Sequence, residues 1–195
     1  MYNTKEINQL IRHRRSVYPV QYVEGKVIDD TIIEQILENA NWAPTHGRTE
    51  PWRFCVFTGD GLKKLAQFQA ETYKKYTPTE DFKENKHQKL LDNPLKASHI
   101  ISIGMKRQAS GRIPEVEEIE AVACAVQNMY LTATAYGIGA YWGSGGITYY
   151  EEAKPFFDLE PEDKLLGFFY LGHIEKPSPE GKRAPVQEKV RWIKG

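Results

Sequence analysis

Residues 114–142, PEVEEIEAVACAVQNMYLTATAYGIGAYW, carry the strongest structural signal in the chain. Pro114 and the four glutamates that follow it predict the start of a helix, because proline fits the first turn and acidic side chains stabilise the positive end of the helix dipole. The middle of this helix is apolar on nearly all sides, as expected of a central helix, and Gly137 predicts its end. Residues 138–142 then have the composition of a strand. The fold is therefore expected to mix helices and strands.

The other elements follow from spacing on both sides of this segment. A first helix is predicted to begin at Asn3 or Thr4, to fade near Arg14, and to bury Ile7, Leu10 and Ile11. A second is predicted to begin at Asp29 or Asp30 and to end before Pro44, with one apolar face: Ile32, Ile33, Ile36, Leu37 and Ala40. Strands are predicted at residues 53–58, 98–105 and 164–171, a further helix at residues 59–73, and an exposed helix with a loop within residues 74–96.

The predicted order is α-α-β-α-(α)-β-α-β-α-β, in which helices outweigh strands. This order favours an α+β sandwich with a small central sheet, antiparallel or mixed. The last 23 residues contain Pro177, Pro179 and Pro185 and are expected to form an extended arm. Because 195 residues suit one compact domain and there is no internal repeat, one domain over residues 1–195 is expected.

Composition narrows the class of protein. Twenty-six basic residues balance 26 acidic ones, which argues against nucleic acid or a membrane surface as a partner. The N-terminus lacks the apolar segment of a signal peptide, so a soluble, cytoplasmic protein is expected. Cys55 and Cys124 are expected to be buried, reduced thiols. The five histidines show no metal-ligand spacing, and no metal site is predicted.

Two glycine-containing motifs suggest enzyme classes that the context excludes. Gly137-Ile-Gly139 follows a helix, whereas a dinucleotide fingerprint must follow a strand. In the segment after Trp142, Ser144 lacks the first glycine of a nucleophile elbow. The sequence therefore offers no catalytic residue, which is compatible with a redox enzyme whose cofactor supplies the chemistry.

Four segments could bind a ligand, and each also has a plain structural explanation. Arg14-Arg15-Ser16 could clamp a phosphate or a flavin edge, or could complement a helix dipole. Residues 43–52 form a rigid loop that presents His46, Arg48 and Glu50, or a simple connection. Residues 141–147 could bring backbone N–H groups close to a planar ligand, or form a tight turn. Residues 181–185 could bring basic groups to a phosphate, or lie in solvent.

Taken in order, these segments resemble the FMN-dependent nitroreductase family, and its short YdjA-like subgroup in particular. The resemblance rests on Arg-Arg-Ser after the first helix, then Ala-Pro-Thr-His and Glu-Pro-Trp-Arg-Phe, then Trp-Gly-Ser-Gly, Gly-Phe-Phe-Tyr-Leu-Gly and a basic tail before Pro185. It covers essentially the whole chain. It implies a nitroreductase-like α+β fold and an intertwined homodimer with two FMN molecules at the interface.

The resemblance also implies which residues bind FMN. Arg14, Arg15 and Ser16 would grip the phosphate, the ribityl chain and the pyrimidine edge from one subunit. Residues Trp42, His46 and Arg48 would come from the partner. The remaining cofactor-binding positions would lie along the flavin near N5 or complete the phosphate site: Trp142, Gly143, Ser144, Gly145 and Arg183.

The activity implied is a two-step reaction. NADH or NADPH would pass hydride to the flavin, and an electron-poor acceptor such as a nitroaromatic or quinone would then be reduced at the same face. The alternatives are another reaction on this fold (dehalogenation, enone reduction or flavin breakdown) and a flavin-binding regulatory protein. The sequence departs from the wider family at Tyr18, Arg48 and Glu50, where lysine, asparagine and glutamine are common. We hypothesise that Arg48 supplies the positive charge that Tyr18 lacks.

Overall fold

A four-stranded sheet lies at the centre of the computed structural model, which describes residues 1–195. Its strands are β1 (Trp52–Thr58), β2 (His99–Met105), β3 (Ile138–Gly143) and β4 (Lys164–His173). They pair in the order β1-β2-β4-β3, and every pair is antiparallel. The antiparallel alternative of the predicted sheet is therefore the one observed.

Five α-helices surround the sheet, close to the predicted bounds: α1 (Thr4–His13), α2 (Asp30–Asn41), α3 (Asp60–Tyr76), α4 (Glu84–Asp92) and α5 (Glu115–Ala135). The predicted helix between β3 and β4 is instead a short 3₁₀ helix, Glu151–Phe157. Pro155 lies inside it and cannot donate a backbone hydrogen bond, which explains why no longer α-helix forms there.

The helix ends agree with the capping residues in the sequence. The Asp29 carboxylate accepts the backbone N–H of Thr31 at 2.9 Å, and hydrogen bonds from Thr31 hold the pKa of Asp29 below its usual value. Helix α5 follows Pro114, and its last turn ends before Gly137, whose φ of +68° lies in the left-handed region that glycine tolerates.

Helices cover both faces of the sheet, and the two faces have separate cores. On one face α2 and α5 pack against the strands through residues such as Ile36, Met129 and Phe169. On the other face α3 and the 3₁₀ helix pack through residues such as Tyr73 and Phe157. All seven residues of β2 are buried, because this strand is central and is covered on both sides. The result is the expected α-β sandwich.

The prediction that α1 buries Ile7, Leu10 and Ile11 is wrong for a single chain. None of its residues is buried, Ile7 and Ile11 are 43% and 51% exposed, and only Leu10 is partly covered. The apolar spacing does mark a face that requires a cover, but no element of the same chain lies over it. The expected burial of both cysteines is also wrong: Cys124 is exposed on the outward side of α5, and Cys55 in β1 is only half-buried.

The C-terminal segment forms the expected arm. After β4 the chain contains only one short 3₁₀ helix, Val186–Lys189, and every residue from 179 to 195 is exposed. Separately, none of the helices is both long enough and apolar enough to pass through a membrane.

Candidate functional site

An extended segment, residues 14–18, links the end of α1 to the edge of the sheet. The backbone N–H of Val17 donates to the carbonyl of Ala140 in β3 at 2.8 Å, which holds the segment beside that strand. Four residues of extended chain span roughly 13 Å. Arg14 at one end lines a basic cavity, and Tyr18 at the other end lines a second cavity beside glycines of β3.

The basic cavity, here called the arginine cavity, has a volume of about 740 Å³. Basic side chains from α1, the segment after it and the C-terminal arm line it, together with one carboxylate, that of Glu180: Arg12, His13, Arg14, Arg15 and Arg183. Residues 14 and 183 are far apart in sequence, yet the fold brings them to one cavity. A concentration of guanidinium groups of this kind suits a phosphate.

Arg14 and Arg15 are neighbours but have different surroundings. The guanidinium of Arg14 lies over the Tyr130 ring, 5.0 Å from its centroid, and donates no hydrogen bond within the chain. The guanidinium of Arg15 donates to the carbonyls of Pro179 at 3.1 Å and Arg14 at 2.7 Å. A Cβ on Gly181 would lie 2.6 Å from Arg15 Cζ, so the arm packs directly on this side chain. Arg15 therefore holds the arm in place, and Arg14 keeps its donors available for a ligand.

Tyr130 of α5 joins the parts of this region, and sequence reasoning gave it no role. Its hydroxyl accepts the backbone N–H of Trp142 at 2.7 Å and lies 3.4 Å from Ser16 Oγ. Its buried ring packs edge-on against Phe169. No sequence signal marks it, because a tyrosine in an apolar helix is typical of an ordinary core.

The glycines at the end of β3 form an open ledge of backbone, here called the glycine ledge (Gly143, Ser144, Gly145). A Cβ on Gly143 would lie 2.8 Å from the Tyr141 ring, whereas a Cβ on Gly145 would meet nothing within 4 Å. Thr148 Oγ1 donates to the Gly145 carbonyl at 2.8 Å and fixes the turn. Beside the ledge, the indole of Trp142 donates to the Leu166 carbonyl at 3.1 Å. The ledge thus presents backbone with free space over Gly145, which suits a planar ligand.

A second cavity, of about 400 Å³, opens on this ledge and is here called the ledge cavity. Its lining combines ledge glycines, aromatic side chains and one face of α4: Tyr18, Gln69, Lys86, Lys89, Leu90, Asn93, Tyr141, Gly143, Gly145, Gly146, Phe168 and Tyr170, with Pro19 and Val20 at its edge. Burial raises the pKa of Tyr141 and raises that of Tyr170 to about 12. Both phenols are therefore protonated at neutral pH and can donate hydrogen bonds.

The loop after α2 has an unusual backbone. Arg48 and Glu50 have φ values of +56° and +44°, in the left-handed region that non-glycine residues rarely adopt. His46 Nδ1 lies 2.6 Å from Glu117 Oε2, whereas the exposed Arg48 side chain has no hydrogen bond or ion pair. Strained, rigid loops of this type are common at binding sites.

Within one chain, this loop is distant from the arginine cavity. His46 contacts Glu117 near the start of α5, and Arg14 contacts Tyr130 13 residues further along the helix. That interval corresponds to about 20 Å of helix rise. Trp42, His46 and Arg48 line neither cavity, and the Trp42 indole donates to Glu38 of its own helix at 2.9 Å. The structure therefore brings Arg14 and Arg15 together with Arg183 in one cavity. The loop residues His46 and Arg48 lie apart from them.

Comparison with known proteins identifies the family. Residues 11–173 match the nitroreductase family. The chain belongs to the nitroreductase family. This match confirms the predicted resemblance. It also agrees with the predicted class of enzyme, an oxidoreductase.

Two relatives place the chain within the nitroreductase family. YfhC of Bacillus subtilis, provisionally named an NAD(P)H nitroreductase, is 27% identical over 97% of this chain and 98% of its own length. YdjA of Escherichia coli K12, with the same provisional name, is 28% identical over 72% of this chain and 74% of its own length. The predicted YdjA-like subgroup fits these matches.

Solved structures confirm the predicted fold class. A nitroreductase-like family protein from Bacillus cereus superposes with a TM-score of 0.81 at 27% identity, over the full length of both chains. A Desulfovibrio desulfuricans protein, provisionally called a nitroreductase and solved in complex with FMN, superposes with a TM-score of 0.73 at 24% identity, over 100% of this chain and 99% of that one.

Proposed function

We propose that this protein is an NAD(P)H-dependent flavin oxidoreductase that binds FMN and reduces electron-poor acceptors such as nitroaromatics or quinones. The observation that carries the proposal is the continuous path from the arginine cavity along residues 14–18 to the glycine ledge, in a chain of the nitroreductase family. Since NADH and NADPH are electron donors of the cytoplasm, the proposed activity belongs in that compartment.

The donor groups along this path match FMN from end to end. Arg14 and Arg183 would hold the phosphate, with Arg15 fixing the arm that carries Arg183. Ser16, halfway along the extended segment, would contact the ribityl chain. Trp142, Gly143, Ser144 and Gly145 would lie along the ring system, where the missing side chains allow backbone N–H groups to approach it. The path includes residues from 14 to 183, so residues 1–195 would act as one FMN-binding domain.

The remaining predicted ligands would reach the flavin from a second copy of the chain. Within one subunit Trp42, His46 and Arg48 line neither cavity, and about 20 Å of helix separates the His46 contact on α5 from the Arg14 contact. The exposed apolar groups support a dimer: Ile7 and Ile11 on α1 are uncovered, and Trp42 is 78% exposed. An exposed arm of 17 residues, 179–195, suits an intertwined homodimer.

Bound FMN would supply the hydride chemistry. The protein would bind the FMN, orient it and tune its reduction potential. One face of the flavin ring would lie against the glycine ledge, so the nicotinamide and the acceptor would use the other face in turn and follow ping-pong kinetics. Converting a nitro group to nitroso breaks one N–O bond, consumes one hydride from NAD(P)H and one solvent proton, and releases one water molecule and NAD(P)⁺. No side chain is required as the proton donor, and we assign no catalytic residue.

Anaerobic stopped-flow spectroscopy tests this function. The purified holoprotein should be yellow, should be bleached by NADH or NADPH, and should recover its colour when a nitroaromatic or quinone is added without oxygen. A colourless protein that does not take up FMN would overturn the proposal. Flavin that binds but is not reduced by either nicotinamide would leave a flavin-binding protein without this activity.

A further inference from the structure

One face of α4 forms a wall of the ledge cavity. Lys86, Lys89 and Leu90 line it together with Asn93, the residue that ends the helix. Their spacing of three, four and seven residues places them on the same side of a helix. The segment expected to be an exposed helix and loop therefore has a defined position opposite the glycine ledge.

The charge on this wall is not neutralised. Lys86 Nζ lies 4.5 Å from the centroid of the Tyr73 ring, and neither Lys86 nor Lys89 forms an ion pair. No aspartate or glutamate lines the cavity. The acidic residues of α4 point to other partners, since Glu84 lies 3.7 Å from His87 and Asp92 accepts a hydrogen bond from Gln88. Two lysine side chains thus line a cavity whose lining includes no acidic side chain.

The rest of the lining also offers donors. Gln69 is only 1% exposed, and its amide lies beside the Tyr170 hydroxyl. Its Nε2 nevertheless donates no hydrogen bond. A buried amide donor without a partner is costly and points to a ligand atom that would accept from it. Phe168 and Leu90 provide the apolar walls. The cavity therefore suits a planar molecule that is rich in hydrogen-bond acceptors and carries negative charge.

We propose that the ledge cavity selects anionic aromatic electron acceptors, those that carry a carboxylate, and that Lys86 and Lys89 determine this preference. The inference rests on the proposed oxidoreductase function and names its class of acceptor. Lys86 and Lys89 would bind the carboxylate while the reducible group stacks on the flavin ring system that covers the glycine ledge. The Gln69 amide would donate to an acceptor oxygen.

A matched pair of acceptors tests the preference. The holoenzyme is assayed with 4-nitrobenzoate and with 4-nitrobenzamide, which share the nitro group and nearly the same shape but differ in charge. The carboxylate should have a kcat/KM about tenfold higher, as expected for one hydrogen bond to a charged group. The Lys86→Gln/Lys89→Gln double variant should lose this ratio, Lys89→Glu should reverse it, and 0.5 M NaCl should reduce it. The control is Lys83, a lysine near α4 that does not line the cavity. Lys83→Gln should retain the ratio.

Binding measurements separate this inference from the proposed function. Calorimetric titration of the oxidised holoenzyme with each compound needs no turnover, so it applies even if no acceptor is reduced. Equal affinities for the two compounds would overturn the inference. It would also be overturned if the double variant bound FMN more weakly, or had a lower FMN midpoint potential, while both compounds lost affinity equally. The lysines would then act on the flavin and not on the acceptor.

Discussion

The backbone N–H of Trp142 donates a 2.7 Å hydrogen bond to the Tyr130 hydroxyl, which ties the central helix α5 to the strand end that carries the glycine ledge. The same hydroxyl lies 3.4 Å from Ser16 Oγ, and the Arg14 guanidinium lies over the same ring. One side chain therefore contacts the three regions proposed to hold the phosphate, the ribityl chain and the ring system of FMN.

Tyr130→Phe should weaken both the fold and the binding of FMN. The variant keeps the ring that packs on Phe169 but leaves the Trp142 N–H without its partner, at a cost of about 1–3 kcal/mol in the free energy of unfolding. Urea denaturation measures this loss, and flavin fluorescence titration should show several-fold weaker FMN binding. Tyr136→Phe, at the exposed end of α5, is the control and should change neither value. Unchanged stability and affinity in Tyr130→Phe would show that the hydrogen bond does not organise the site.

Substitutions of Arg14 and of Arg15 should have different effects. Arg14→Gln removes donors that no group of the chain uses, so it should weaken FMN binding about tenfold or more with little change in stability. Arg15→Gln should release the arm from its bond at Pro179 and speed tryptic cleavage at Lys182 and Arg183. Equal protease sensitivity of the two variants would contradict the separate roles.

Arg48 is predicted to tune the flavin electrostatically. If its unpaired guanidinium lies near the pyrimidine edge, Arg48→Ala should make the FMN midpoint potential more negative by roughly 20–60 mV, which corresponds to ~1–3 kcal/mol for a two-electron couple. Arg48→Lys should retain most of the potential. Spectroelectrochemical titration measures both variants, and an unchanged potential in Arg48→Ala would rule out this role.

Stability should fall at alkaline pH because of Tyr170. The residue keeps some accessible surface in the ledge cavity, but its hydroxyl is surrounded by protein, and burial raises its pKa from about 10 to about 12. The folded chain holds this proton where the unfolded chain releases it, so the free energy of unfolding should decrease between pH 10 and 12. The slope from one such group is up to about 1.4 kcal/mol per pH unit. Urea denaturation at several pH values should show a smaller slope for Tyr170→Phe, and an identical slope would contradict this origin.

The sequence predicted the elements well because local chemistry marks them. Pro114 and Gly137 bound α5, and β-branched and aromatic residues mark β1 within one residue of its observed start. The burial of Ile7 and Ile11 was wrong for a physical reason: amphipathic spacing shows that a face needs a cover, but not which chain provides it.

The site was predictable only where a contiguous motif carries it. Arg14 and Arg183 were named from their motifs, and the fold brings them to one cavity. The structure gives Arg15 a task that its motif did not suggest, because its carbonyl partners lie in the folded arm. Tyr130 and Gln69 have no sequence signal, since their importance depends on which groups the tertiary fold places beside them.

The central claim is that each flavin is held by two subunits. It can be tested with a dimer whose two subunits carry different substitutions. Subunits with Arg14→Gln and subunits with His46→Ala/Arg48→Ala are co-expressed with different tags, and the mixed dimer is isolated by tandem affinity purification. If each site takes Arg14 from one subunit and His46 and Arg48 from the other, one site of the mixed dimer is intact and the other carries every defect. FMN titration should then find one site per mixed dimer with the wild-type Kd, whereas each parent homodimer binds weakly at both. A mixed dimer that binds FMN no more tightly than its parents would contradict the claim.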